Sequence, residues 1–116
     1  MIRPQEKGRL GEKAATKYLD SLGYKILETN FTSKYGEIDI IAKSKTTLIF
    51  IEVKNYKNNS LVTPYAAISK TKQHKIIKTA QYYCLKNNIK DIPSRFDVII
   101  LKDNRIVDYL EGAFFV

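Results

Sequence analysis

The sequence predicts a layered α/β or α+β fold with a mixed sheet, in the order α-β-β-β-α-β-β. Three observations carry this expectation. Apolar residues recur at helical spacing in two stretches, about 6–22 and 69–87. Five short runs rich in Ile, Val, Phe and Tyr lie between and after them. Polar turns, Lys43-Ser44-Lys45-Thr46 and Lys102-Asp103-Asn104-Arg105, join neighbouring runs closely enough for hairpins.

In the first helical stretch Gly8, Gly11, Ala15, Tyr18 and Leu22 gather on one face, with Ala14 and Leu19 at its edges. Small residues there let the helix lie close to a sheet. Glu12 sits at the margin of this face, and Gly23 supplies a C-terminal stop. Strands are expected at Tyr24–Thr32, Glu37–Ala42 and Thr47–Val53, followed by a loop over Asn55–Leu61. Thr63-Pro64 opens a short helix, as cap and first-turn residue. Ser69 caps the longer helix, whose apolar stripe is Ile76, Ile77, Ala80 and Cys84, extended by Tyr83. Phe96–Leu101 and Ile106–Leu110 read as the last two strands.

With 116 residues the chain suits one domain over 1–116, long enough for a real core. No apolar tract approaches the ~20 residues that span a bilayer, and Met1–Lys7 lacks the apolar core of a signal peptide. The single cysteine, Cys84, reads as a buried free thiol, so a cytoplasmic location is expected and no membrane partner. The net charge of +8 favours polyanions. Lys70, Lys72, Lys75 and Lys78 concentrate on one helix and are expected to meet a phosphate backbone. The bland alternative is a solvated lysine-rich face.

Two acids mark the chemistry. Glu52 and Lys54 close the apolar run Leu48-Ile49-Phe50-Ile51 and point the same way along a strand, about 7 Å apart. Asp39 lies on the preceding strand and comes beside Glu52 if the two pair as a hairpin. Carboxylates at the end of apolar strands are costly to desolvate unless something holds them, and a divalent metal does so. Mg²⁺ (or Mn²⁺) prefers oxygen ligands, keeps several waters, and needs only Asp39, Glu52 and Glu12, with a backbone carbonyl near Val53 as a further donor. Lys54 then serves an attacking water or a phosphoryl oxygen. Against this stands the plain reading of Glu-Val-Lys as a solvated pair on an edge strand. His74 is the only histidine, which excludes a zinc site of the usual kind. Gly8-Arg9-Leu10-Gly11 follows no strand and is not a phosphate loop. Asp97 either joins the site or pairs with Arg95, and Tyr82-Tyr83 either stack on bases or belong to the core.

An ordered set of pieces resembles a known family. They are Gly8-Arg9-Leu10-Gly11-Glu12 with Ala15, Gly36-Glu37-Ile38-Asp39-Ile40-Ile41, and Phe50-Ile51-Glu52-Val53-Lys54. Lys72-Gln73-His74-Lys75 leading to Ala80, then Arg95-Phe96-Asp97-Val98 and Ala113-Phe114, continue it. The chain resembles the YraN family of small bacterial proteins, within the PD-(D/E)XK nuclease superfamily and related to Holliday-junction resolvases. The resemblance covers nearly the whole chain, from about Gly8 to Phe115. It implies a restriction-endonuclease-like α/β core, with a mixed sheet flanked by helices. It also implies a metal-binding and catalytic trio of Asp39, Glu52 and Lys54, joined by Glu12, with Gln73 and Lys75 as accessory helix residues. Ile38 stands where the signature has proline.

The resulting expectation is a Mg²⁺-dependent endonuclease acting on DNA, structure-selective for branched or damaged forms. The rivals are a nucleic-acid-binding module without catalysis and a partner-binding protein that keeps the fold. Three acids beside a phosphate repel it unless a metal is present, which favours catalysis. A homodimer is a further expectation, with Ala113-Phe114-Phe115-Val116 either at its interface or folded onto the core.

Overall fold

The computed structural model describes residues 4–57 and 68–116, with side chains from residue 9 onward. The element order is α1 (Pro4–Ser21), β1 (Lys25–Ser33), β2 (Gly36–Lys43), β3 (Leu48–Tyr56), α2 (Lys70–Lys86), β4 (Ser94–Lys102) and β5 (Arg105–Phe114). This is the α-β-β-β-α-β-β order of the sequence analysis. The helix expected at Thr63-Pro64 lies outside the described residues, as does 58–61 of the expected loop. Asn55 and Tyr56 belong to β3 instead, because the parallel ladder with β4 continues through Asn55–Leu101 and Tyr56–Lys102.

The five strands form one mixed sheet in sequential order β1-β2-β3-β4-β5. Only β3 and β4 run parallel; the other neighbours are antiparallel. Each helix covers one face. Ala15 and Leu19 of α1 pack on Ile40, Ile49, Ile51, Ile99 and Leu101. Ile76, Ala80 and Tyr83 of α2 pack on Phe31, Ile38, Phe50 and Phe96. The central strand β3 is therefore buried on both sides, which is why Leu48–Ile51 is apolar without alternation.

Both helices end in the same backbone device. After α1, Tyr24 N–H bonds Leu19 C=O (3.1 Å) and Gly23 N–H bonds Asp20 C=O (2.9 Å), with Gly23 at φ 86°. After α2, Ile89 N–H bonds Cys84 C=O (2.9 Å) and Asn88 N–H bonds Leu85 C=O (3.3 Å), with Asn88 at φ 54°. Both are Schellman stops, one using glycine and one asparagine. Ser69 caps α2 as expected, its hydroxyl accepting from Lys72 N–H. Asp103 and Asn104 both have positive φ, so the β4–β5 hairpin closes through a two-residue turn of the type whose twist matches the strands.

The helix faces differ from the expected ones in detail. Leu22 is exposed, because the chain has already turned out at the Schellman stop. On α2 the buried residues are Ile76, Thr79, Ala80 and Tyr83, while Ile77 and Cys84 are only partly buried. Thr79 is fully buried yet polar. Its hydroxyl bonds Lys75 C=O (2.8 Å) and pairs with Ser33 Oγ (3.1 Å), so burial costs it no hydrogen bond. Of the C-terminal tail, Phe114 stacks on Phe96 in the core (5.0 Å), whereas Phe115 and Val116 are exposed.

Asp97 is fully buried on β4, and it resolves toward Arg95 rather than the site. Arg95 donates through Nε (2.9 Å) and Nη2 (2.9 Å), Tyr109 donates its hydroxyl, and Gly112 its N–H (2.9 Å). The Asp97 carboxylate in turn holds the Tyr109 phenol and the Arg95 guanidinium well above their usual pKa ranges; for the phenol, burial acts first. Gly112 stands opposite a register break in β4–β5, so Asp97 fastens an irregular stretch that main-chain pairing cannot. Asp97→Ala leaves a half-buried guanidinium, a phenol and an N–H without this acceptor. A loss of about 3–5 kcal/mol is expected, read from chemical denaturation of the variant against the parent.

Candidate functional site

The site begins with an interruption in the sheet. The β2–β3 ladder runs from Lys43–Leu48 to Ile40–Ile51 and stops there. In that register the next residues across are Asp39 and Glu52. The β2 strand turns over at this point: Ile38 faces the α2 core, while two residues on Ile40 faces the α1 core. Beside it on β1 is Asn30, held at φ 51°, between the pairs Thr29–Ile40 and Phe31–Ile38. Asparagine tolerates this left-handed conformation better than most residues. Because the ladder ends, Asp39 Oδ2 accepts the Val53 N–H (2.8 Å) in place of a main-chain carbonyl.

Glu52 follows the fully buried Ile51 and is itself buried, at 6% exposure. Two ammonium groups hold it. Lys54 Nζ, two residues along the same strand, stands 3.6 Å from Oε1. Lys72 Nζ, from the first turn of α2, stands 2.8 Å from the same oxygen. The bond to Glu52 raises the Lys72 pKa further above its ordinary value, so this ammonium stays charged. Asp39 has no such partner at contact distance among the described ion pairs. Burial, and next the negative charge of Glu52, push its carboxyl up from 3.8 to about 7; the Val53 N–H opposes the shift.

Behind Asp39 lies a polar cavity of about 410 Å³, lined by Arg9, Glu12, Asn30 and Asn55 as well as Asp39 and Val53. Glu12 faces it but is engaged, its Oε2 accepting from Asn30 Nδ2 (2.6 Å). Gly11 lets α1 approach this closely, since a Cβ there would meet Asn55 Nδ2 at 2.8 Å. Asn55 cannot easily yield, because it both donates to Asn104 Oδ1 (2.6 Å) and accepts Asn104 N–H (3.2 Å).

The donors suit a hard divalent cation in kind: carboxylate oxygens, partly dehydrated, with one acid already held toward its neutral form by burial and by its neighbour's negative charge. Among the described residues, no three of His, Cys, Asp and Glu gather as a metal cluster, so Glu12 does not close a three-acid set here. Mg²⁺ is commonly held by one or two carboxylates with its remaining positions on water, which Asp39 and Glu52 can supply.

The basic residues of α2 divide. Lys72 turns inward to Glu52 and is not a free phosphate contact. Gln73 Nε2 donates to Ile68 C=O (2.8 Å), bracing the entry to the helix. Lys75 and Lys78 are exposed and, at about 100° per residue, lie about 60° apart, whereas Lys72 is about 120° from Lys78 and turned to the sheet. Lys70, also exposed, is about 80° from Lys78 and roughly 160° from Lys72, so the four lysines spread over about 200° of the helix. Sequence reasoning missed the role of Lys72 as the second cation on Glu52. The Ser69 cap fixes where the first turn begins, but not that this turn reaches β3.

Fold and site together define the class: a five-stranded mixed-sheet α/β protein with one buried and one half-buried acid at a split between two strands. Residues 11–101 match the model of the family described as Uncharacterised protein family UPF0102. A UPF0102 protein of Clostridioides difficile is 52% identical over 112 residues, covering 95% of this chain and 97% of that one. Others from Sulfurihydrogenibium (44% over 109 residues, 94% of each) and Thermodesulfovibrio yellowstonii (46% over 110 residues, 95% and 96%) are similar along nearly their whole lengths. The chain belongs to the UPF0102 family, which is the YraN family that its motifs resemble. Among the described residues no helix is long and apolar enough to cross a membrane.

The raised Asp39 pKa has a signed consequence for stability. Its folded value, about 7, lies above the ordinary 3.8. The folded state therefore binds the extra proton between these values, and stability falls as pH rises from about 4 to 7. In metal-free protein this loss should reach on the order of 2–4 kcal/mol. Asp39→Asn, which keeps an acceptor for Val53 N–H, should flatten the profile and be the more stable protein above pH 7. Denaturant melts of both across pH 4–8 in EDTA check it.

Proposed function

We propose that this protein is a Mg²⁺-dependent phosphodiester hydrolase that cleaves DNA, on a restriction-endonuclease-like fold. One observation carries the reading: a buried glutamate and a half-buried aspartate, Glu52 and Asp39, stand where β2 and β3 part, and two lysines stand on the glutamate. A structural ion pair needs neither the second acid nor the interrupted ladder. Lysines at an acid pair also suit a site whose substrate is anionic.

In this reading Asp39 and Glu52 hold the metal, which when bound supplies Lewis acidity and an activated water. Asp39 keeps its place through Val53 N–H. Lys54 and Lys72 release part of Glu52 to the metal and turn their charge toward the phosphoryl oxygens, where charge develops during displacement. Glu12, Asn30 and Asn55 bound the polar cavity beside Asp39 and position the strand that enters it. Lys75 and Lys78 contact the backbone beyond the scissile phosphate. The +8 net charge supports a polyanionic substrate.

The test is cleavage of duplex, flap, single-stranded and four-way-junction DNA in Mg²⁺ or Mn²⁺. Lys54→Ala should lower the rate by roughly 10²–10³, and Glu52→Gln by more, with unfolding transitions still cooperative. Unchanged cleavage in both variants contradicts the assignment. Binding measured over several salt concentrations checks the lysines. Lys75→Ala should lower the log–log salt slope by about 0.9 on duplex DNA.

A further inference from the structure

The β1–β2 hairpin tip carries an aromatic and basic surface that the acid site does not use. Tyr35 stands there, 37% exposed, and Tyr82 of α2 is 40% exposed, whereas its neighbour Tyr83 is buried at 6%. The two exposed rings line a recess of about 280 Å³ with Lys78, Gln81 and Leu85. Lys34 Nζ and Lys78 Nζ lie 5.2 and 5.8 Å from the centroid of the Tyr35 ring. Tyr82 is backed by Phe31 at 6.1 Å between centroids. The tip is fixed as well. Ser33 Oγ accepts Tyr35 N–H (3.0 Å) and meets the buried Thr79 hydroxyl (3.1 Å), tying the hairpin to α2.

We propose that the Tyr35–Tyr82 recess is a stacking site for an unpaired nucleobase, so that single-stranded DNA runs along α2 from the Glu52 site to the hairpin tip. The chemistry is that of single-strand binders: aromatic rings that take any base, with cations beside them for the phosphates. Four features favour this occupant over an apolar partner. The rings are tyrosines with polar ends, lysines flank them, no acidic residue lines the recess among the described residues, and the recess holds a base but not a duplex. Lys75, Tyr82 and Lys78 fall within about 60° of one another on the helix, with Lys72 about 60° further toward the sheet, on Glu52. From Lys72 to Tyr82 is ten residues, about 15 Å of helix, or roughly four stacked nucleotides. The recess thus lies a few nucleotides from the acid pair, on the same path. The choice of DNA rests on the proposed hydrolase reading; the recess itself requires no metal. It selects substrates in which an unpaired strand adjoins the cleaved bond.

The test is fluorescence anisotropy of a labelled oligothymidylate in EDTA, where nothing is cut, alongside an abasic strand of equal length. Tyr35→Ala and Tyr82→Ala should each weaken oligothymidylate binding by about tenfold, with the salt slope unchanged. Tyr35→Phe and Tyr82→Phe should bind like the parent, since the ring is kept. The parent itself should bind the abasic strand as weakly as the alanine variants bind oligothymidylate, a comparison that requires no mutation. Equal affinity of the parent for both strands, or alanine variants that bind as the parent does, overturns the inference. Tighter binding of oligouridylate than of oligothymidylate overturns the assignment to DNA. Loss of all cleavage activity in Mg²⁺ with the tyrosine dependence intact in EDTA would sink the hydrolase reading and sustain this one.

Discussion

The carboxylate of Asp39 takes the Val53 N–H that a continuous ladder would have given to a main-chain carbonyl, and the site's geometry follows from that exchange. Between Lys43–Leu48 and Ile40–Ile51 the two strands are ordinary antiparallel neighbours. Beyond them β2 turns over, so that Ile38 and Ile40 enter opposite cores. Backbone pairing there is replaced by side-chain chemistry. The gap admits a polar cavity on the α1 side and leaves Glu52 open to α2. A regular strand would have put two acids side by side with nothing between them.

Such a pair is unstable on its own, and the surroundings compensate unequally. Glu52 has two ammonium groups, one from its own strand and one from α2. Asp39 has one N–H and a raised pKa. The asymmetry leaves positive charge wanting on the Asp39 side. The remaining buried acid, Asp97, makes a useful contrast. It is more deeply buried, yet Arg95, Tyr109 and Gly112 supply every bond it needs, and it fastens a strand pair.

The order of elements was legible because each carries its own period and its own stop. The Ser69 cap and Gly23 stop could be read directly, and the two hairpin turns were polar and short. The register of the β2–β3 hairpin was legible too, since a short turn fixes it between adjacent strands. What failed were features set by tertiary contact. Thr79 is buried because Ser33 gives its hydroxyl a partner 46 residues away, which no helical wheel contains. Lys72 looked like its neighbours in sequence but is turned onto Glu52 by the docking of α2. The helical period, by contrast, did separate Tyr83, which extends the apolar stripe of α2 and is buried, from its exposed neighbour Tyr82.

The central claim is that the split at Asp39 and Glu52 is a cation site. Mn²⁺ binding followed by calorimetry at neutral pH tests it without reference to any substrate. The account predicts one ion per chain in the parent, lost or much weakened in Asp39→Asn and in Glu52→Gln while both remain folded. Binding that survives both substitutions, or a parent that takes up no Mn²⁺ at millimolar concentration, would contradict it.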